Sequence, residues 1–229
     1  MREIVLDTET TGLDPAAGHR VVEIACIELM NRVPTGQVFH RYANPERDMP
    51  AEAFAVHKLS SEFLSDKPLF GSFADELVAF IGGDDIIAHN AEFDMRFVNA
   101  ELERAGKSRH AGRSVDTVAM ARQKFPGQPA SLDALCKKFA VDNTMRTVHG
   151  ALLDAELLAA VYLELMGGRQ HGLVLTEEIE VKAAGGQMRP AAALRDGPVR
   201  PPRPHAANPA ELEAHAAFIA KLKNPLWSA

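Results

Sequence analysis

Met1-Arg2-Glu3-Ile4-Val5-Leu6-Asp7-Thr8-Glu9-Thr10-Thr11-Gly12-Leu13 opens the chain, a hydrophobic strand that ends in two carboxylates and then a turn. Side chains alternate faces along a strand, so Asp7 and Glu9 project from the same side at its end. Two carboxylates held that close repel each other unless a cation neutralises them. Hard oxygen ligands of this kind suit Mg²⁺ or Mn²⁺. The opening stretch therefore points to metal-assisted chemistry at the end of a strand.

Outward from this strand, Val/Ile-rich runs predict further strands from Val21 to Met30 and from Gln37 to Ala43, separated by Gly/Pro/Asp-bearing turns. Short links of this kind favour an antiparallel meander. Phe73, Leu77, Phe80 and Ile81 fall at helical spacing over Ser72 to Ile81, and Gly82-Gly83 ends that run. A short apolar strand from Asp84 to Ala88 precedes a helix from about Phe93 to Ala105. A strand reached through a helix is expected parallel to its neighbour. From Asp116 the pattern is helical, with Asp116 and Ser131 placed as N-caps and a long apolar helix from about Ala151 to Met166. Its leucines and alanines read as core.

Two further segments carry chemistry. In Ala88-His89-Asn90-Ala91-Glu92-Phe93-Asp94 a strand runs through a loop into a helix whose first turn holds Asp94. In Val148-His149-Gly150-Ala151-Leu152-Leu153-Asp154 a histidine precedes an aspartate by five positions. Five residues of helix turn through about 500°, so the two would not share a face if both were helical. With His149 in the loop before Gly150, it leans over a site that Asp154 approaches from the helix. Asp116 and Asp133 read as helix-start carboxylates. His89 reads as a structural histidine hydrogen-bonded in its loop, and His40, His110 and His205 carry no signal.

These three segments resemble the three motifs of the DEDD exonuclease superfamily, in the subgroup with His in the third motif. Phe54-Ala55-Val56-His57, Ser131-Leu132-Asp133-Ala134-Leu135-Cys136 and the stretch from Arg146 to Ala155 extend the likeness to the proofreading subunits of bacterial DNA polymerase III. It covers residues 1 to 168. The resemblance implies an α/β, ribonuclease H-like fold: a mixed five-stranded sheet, its first three strands antiparallel, flanked by helices. It implies 3′→5′ removal of nucleotides by two Mg²⁺ or Mn²⁺ ions, with Asp7 bridging them, Glu9 and Asp154 completing one, and Asp94 holding the other mainly through water. His149, with an ordinary pKa of about 6.5, suits proton abstraction from the attacking water. Thr10, Thr11, Gly12 and Leu13 would meet the single-stranded 3′ end of DNA, together with His57, Asn90 and Phe93.

Beyond residue 168 the composition changes. Gln170, Leu173 and Leu175 resemble a short peptide that binds the sliding clamp, which places a clamp-binding segment at 169–180. Pro190, Pro198, Pro201, Pro202, Pro204 and Pro209 dominate the next thirty or so positions, where large apolar residues are few. Such a stretch buries too little surface to offset its ordering entropy and reads as a disordered linker at 181–210. The remaining 211–229 reads as a helical tail: Leu212, Ile219 and Leu222 share one stripe, and Leu226 and Trp227 stand near the C-terminus. An aromatic beyond a tether is placed as a binding anchor, and the resemblance makes its partner the DNA polymerase III alpha (polymerase) subunit.

Bulk properties limit the remaining choices. With 229 residues and 46% hydrophobic composition, the chain supports one good core plus an appendage. Cys26 and Cys136 are too few for a closed zinc site and read as core residues of a reducing compartment. No bilayer-length apolar run or leader is seen, so a soluble cytoplasmic protein without a membrane partner is expected. A net charge of -6 disfavours a freestanding duplex binder, although divalent ions would reverse the local field. Two other readings stay open: a freestanding RNA or oligonucleotide exonuclease, which gives the tail no task, and a noncatalytic interaction subunit, which leaves four carboxylates and His149 unexplained.

Overall fold

The computed structural model describes residues 1–146, 148–168 and 207–221. Three strands come first: β1 (Arg2–Thr10), β2 (Val21–Met30) and β3 (Val33–Tyr42). They form an antiparallel meander, with β1 paired to β2 along its whole length. β3 starts four residues earlier than its sequence pattern indicates. Asn31 and Arg32 both adopt left-handed φ, at 52° and 69°, so a two-residue turn leads directly from Met30 to Val33.

Two short helices, α1 (Ala51–His57) and α2 (Ser61–Ser65), precede α3 (Phe70–Ile81). Strand β4 (Asp85–Ala88) then runs parallel to β1, as expected for a strand reached through a helix. Helix α4 (Ala91–Arg104) leads to β5 (Ser114–Asp116), which pairs in parallel with β4 and completes the sheet in the order β3-β2-β1-β4-β5. Helices α5 (Thr117–Lys124), α6 (Leu132–Phe139) and α7 (Ala151–Leu165) come after it. Asp116 and Ser131 cap α5 and α6 by accepting from Val118 N–H and Ala134 N–H.

The period-two alternation of β1 divides the core. Ile4 and Leu6 join Ile24 and Cys26 against α3 and α4, whereas Val5 joins Ala25 and Ile27 against α5, α6 and α7. On α7, Ala151, Ala155 and Ala159 recur at every fourth residue and are all buried. Cys26 and Cys136 are free and buried within the two core clusters. Phe70 and Phe97 are the largest fully buried side chains, so most of the bulk beneath the meander comes from α3 and α4.

Val174/Leu175 divides the chain into two units. In the second, α8 (Pro209–Ile219) opens with Asn208 and Glu211 bonded reciprocally at 2.9 Å, a capping box with Pro209 at the first helical turn. The helix thus starts inside the stretch read as linker, because a proline at that position fits a helix start as well as an extended chain. Leu212 is exposed on α8 and Ile219 is partly buried. Gln170, Leu173, Leu175, Leu222, Leu226 and Trp227 lie outside the described residues, as does most of the linker. Among the described residues no helix is long and apolar enough to cross a membrane.

Candidate active site

On β1, only Glu3, Ile4 and Val5 pair with β4, so the second half of β1 projects past it and leaves an open edge. Alternation then distributes the functional groups. Asp7 and Glu9 share the parity of Val5 and face α7, whereas Thr8 faces α4. Asp94, in the first turn of α4, fills the open edge: its Oδ1 accepts from Thr8 N–H at 3.1 Å and from Thr8 Oγ1 at 2.7 Å. Asp154, in the first turn of α7, approaches from the opposite side. Each of these two aspartates stands at a helix N-terminus, where the dipole favours negative charge.

Glu9, His149 and Asp154 each bring a ligand atom within 4.8 Å of the others. Burial, with Asp94, Glu9 and Asp154 close by, holds the Asp7 carboxyl well above the usual range. Glu9 is pushed up to about 8 by burial and by Asp154, Glu23 and Asp94. Burial raises Asp94 to about 7 against the downward pull of its Thr8 bonds. Proton affinity of this size marks a negative field short of cations. A donor set of carboxylates and one imidazole, crowded and partly dehydrated, fits divalent metal.

Two contributors escaped the sequence. Glu23 sits directly across from Glu9 in the β1/β2 register, is buried, and contacts His40 Nε2 at 2.7 Å. A charged residue in the otherwise apolar run Val21-Val22-Glu23-Ile24-Ala25 was its only signal. Arg146 is the second. Its guanidinium grips both oxygens of Asp154, with Nε 2.5 Å from Oδ1 and Nη2 2.7 Å from Oδ2. Nη1 lies 2.7 Å from Asp133 Oδ1, and Nη2 lies 2.8 Å from His149 Nδ1. Arginine only donates, so His149 Nδ1 accepts here and its 3.2 Å approach to Asp154 Oδ2 is a contact without a shared proton. Asp133 is therefore both a helix-start carboxylate and a partner of Arg146.

A cleft of about 530 Å³ adjoins the cluster through Thr8 and Glu9. Thr10, Thr11, Gly12, Leu13, His57 and Phe93 all line it. Leu13 is 78% exposed at its rim. Thr10 Oγ1 donates to Gly12 O at 2.6 Å, and Thr11 Oγ1 accepts from Arg20 N–H at 3.0 Å, so both hydroxyls also build the turn. Gly12 packs beneath His19, where an added Cβ would stand 2.3 Å from the ring. His57 is buried and its Nδ1 accepts from Leu59 N–H, which leaves Nε2 without a hydrogen-bond partner. Burial lowers its pKa. Asn90 does not line the cleft. It takes left-handed φ at 77° as the N-cap residue of α4, and its N–H donates to Asp116 Oδ1. His89 is hydrogen-bonded to Thr117 Oγ1 at 2.9 Å, a structural tie from its loop to α5.

Buried carboxylates and a half-exposed histidine gather at the open end of the central strand beside a cleft, an arrangement suited to a metal-dependent nuclease. The family profile described as Exonuclease matches residues 4–162. DNA polymerase III subunit epsilon of Rickettsia conorii is 54% identical over 185 residues, covering 79% of this chain and 80% of its own. The protein of the same name from Pasteurella multocida is 39% identical over 239 residues, covering 99% of this chain and 93% of its own. A solved structure, Exonuclease X in complex with 5′ overhanging duplex DNA, superimposes with a TM-score of 0.57 at 26% identity, over 72% of this chain and 90% of that one. The chain belongs to the exonuclease family and, within it, to the epsilon subunits of DNA polymerase III.

Proposed function

We propose that this chain is the 3′→5′ proofreading exonuclease of a bacterial replicative polymerase and removes the terminal nucleotide of a mispaired primer at the end of β1. The observation that carries this reading is the meeting of Glu9, His149 and Asp154 within 4.8 Å, beside Asp7 and Asp94 with their raised proton affinities. Asp7, Glu9, Asp94 and Asp154 would hold two divalent ions, Mg²⁺ or Mn²⁺, which would supply charge stabilisation for the attacking and leaving oxygens. His149, half exposed on the loop before α7, takes the proton from the attacking water. The terminal base enters the cleft between Leu13 and Phe93, and His57 offers its free Nε2.

The exonuclease domain is assigned to residues 1–168, and the segments beyond it deliver the enzyme to its substrate. Residues 211–229 bind the alpha subunit, the linker at 181–210 sets the reach, and Gln170, Leu173 and Leu175 engage the sliding clamp. Tethering raises the local concentration of nuclease at the primer end, which fits a chain with a net charge of -6 and little basic surface to hold DNA alone. Digestion of a 3′-mismatched primer with Mg²⁺ tests the chemistry. Wild type is expected to release mononucleotides and Asp7→Ala to release almost none, and equal release by the two overturns the reading. Residues 1–180 are expected to retain nuclease activity but no longer copurify with the alpha subunit, and retained copurification would refute the tether.

A further inference from the structure

Among the described residues, the cluster at the end of β1 holds one permanent cation. Arg146 is only 8% exposed, and its three guanidinium nitrogens are committed to Asp154, Asp133 and His149. Both oxygens of Asp154 are taken by this bidentate grip. Each oxygen keeps a second lone pair, but a cation that ligates it must sit close to the fixed positive charge of the guanidinium, which weakens its binding while Arg146 stays in place. Asp133 differs in its surroundings: its side chain is 61% exposed, its helix turn lies outside the carboxylate cluster, and it already contacts Nη1.

Resting on the proposed metal site, we propose that Arg146 is a positioning residue that occupies Asp154 until a divalent ion arrives and then withdraws toward Asp133. The guanidinium serves as a stand-in cation. It holds Asp154 and His149 in place against the repulsion of Asp7, Glu9 and Asp94, and it yields one carboxylate when a doubly charged ion offers stronger compensation. Asp133 makes the exchange possible by keeping an anionic partner for the displaced group. Withdrawal also frees His149 Nδ1 from the donor that now faces it, so that the ring can present Nδ1–H to Asp154 and keep Nε2 as the basic nitrogen.

Mn²⁺ titration of the full-length chain by calorimetry and electron paramagnetic resonance, without DNA, tests the exchange. Removing the competitor in Arg146→Gln should tighten the weaker Mn²⁺ site about tenfold. Removing its alternative partner in Asp133→Asn should weaken that site by roughly threefold to tenfold, and this effect should vanish in the double variant, because Asp133 acts only through Arg146. Thermal melts supply a second readout: Arg146→Gln should melt below wild type in EDTA and level with it in saturating Mn²⁺, whereas a purely structural arginine would lower both. Unchanged or weaker Mn²⁺ binding by Arg146→Gln overturns the proposal, as does an Asp133→Asn effect that persists in the double variant. If Arg146→Gln does not fold, Asp133→Asn alone decides, and unchanged or tighter binding refutes the exchange. Failure of wild type to bind Mn²⁺ would instead bring down the metal site itself, and this proposal with it.

Discussion

The two ends of β1 handle charge in opposite ways. At the start, Arg2 bonds to Glu28 Oε1, to Asp84 and to the Phe80 carbonyl, while the buried Glu3 receives the Tyr162 hydroxyl at 2.7 Å. Each charge there has a partner. At the far end, Asp7, Glu9, Glu23, Asp94 and Asp154 converge around one arginine and two histidines, with Arg146 gripping Asp154. One strand thus carries a compensated terminus that anchors the sheet and an uncompensated terminus, the proposed metal site. Repulsion stored at a site costs folding stability and is repaid only by the ligand the site is shaped for.

The largest break in this contrast comes from Asp7→Asn. If Asp7 holds metal as proposed, its loss should lower the turnover of a 3′-mismatched primer by about a thousandfold or more, since metal stabilisation of the transition state amounts to several kcal/mol. The same substitution should raise the melting temperature in EDTA, because a repelling charge has been removed from the cluster. An Asp7→Asn chain that is both active and less stable without metal would show that this end of the strand is an ordinary structural one.

pH separates the two ends next. A carboxyl whose folded pKa lies above its unfolded value binds protons more tightly when folded, so its contribution is greatest at low pH and falls as pH rises through the folded value. Glu9 at about 8 and Asp94 at about 7 should make the metal-free protein lose stability between about pH 6.5 and 8, by a few kcal/mol in order of magnitude. His57 and His89 act in the opposite sense: burial lowers both, so they erode stability as pH falls below about 6.5. The carboxylates therefore dominate above that point. Melting curves in EDTA should decline across this window and flatten with Mn²⁺, and a decline that survives saturating metal would exclude the cluster as its source.

Legibility in the sequence divides along the same line, between local and non-local causes. Asp7 and Glu9 share a face by strand periodicity, and Asp94, His149 and Asp154 stand in recognisable motifs, so the residues that gather at the candidate site were legible one by one. Glu23 was not, because its opposition to Glu9 depends on the β1/β2 register. Arg146 was not, because its grip on Asp154 depends on how the loop before α7 folds back. Three-residue β5 and the short α1 and α2 are too brief for a periodic signal, and their places are set by β4 and by the cleft that α1 lines. Asn90 carries a local role that its motif did not reveal, the left-handed N-cap position at the entry to α4.

Tyr162→Phe probes the compensated end without touching the site. It removes the donor at 2.7 Å from Glu3, a carboxylate that is only 4% exposed. A buried acceptor stripped of its partner costs about 1–3 kcal/mol, so a chemical denaturation curve should shift by that amount while primer digestion stays within about twofold of wild type. Loss of activity at matched folded fraction would mean that the two ends are coupled through α7.

Arg2→Ala should have the smallest effect, although Arg2 has three partners. Its side chain is 27% exposed, and Glu28 and Asp84 are 17% and 33% exposed, so water can resolvate both carboxylates once the guanidinium is gone. The unrecoverable part is the bond to the Phe80 carbonyl and the packing of the guanidinium 5.7 Å from the Phe80 ring. Destabilisation should amount to about 1–2 kcal/mol, well below the cost of stranding a fully buried charge. Added salt should shrink it further, because screening acts on exposed pairs. A salt-insensitive loss above about 3 kcal/mol would mean that Glu28 and Asp84 are not resolvated, and that this end of β1 stores as much electrostatic strain as the end proposed to bind metal.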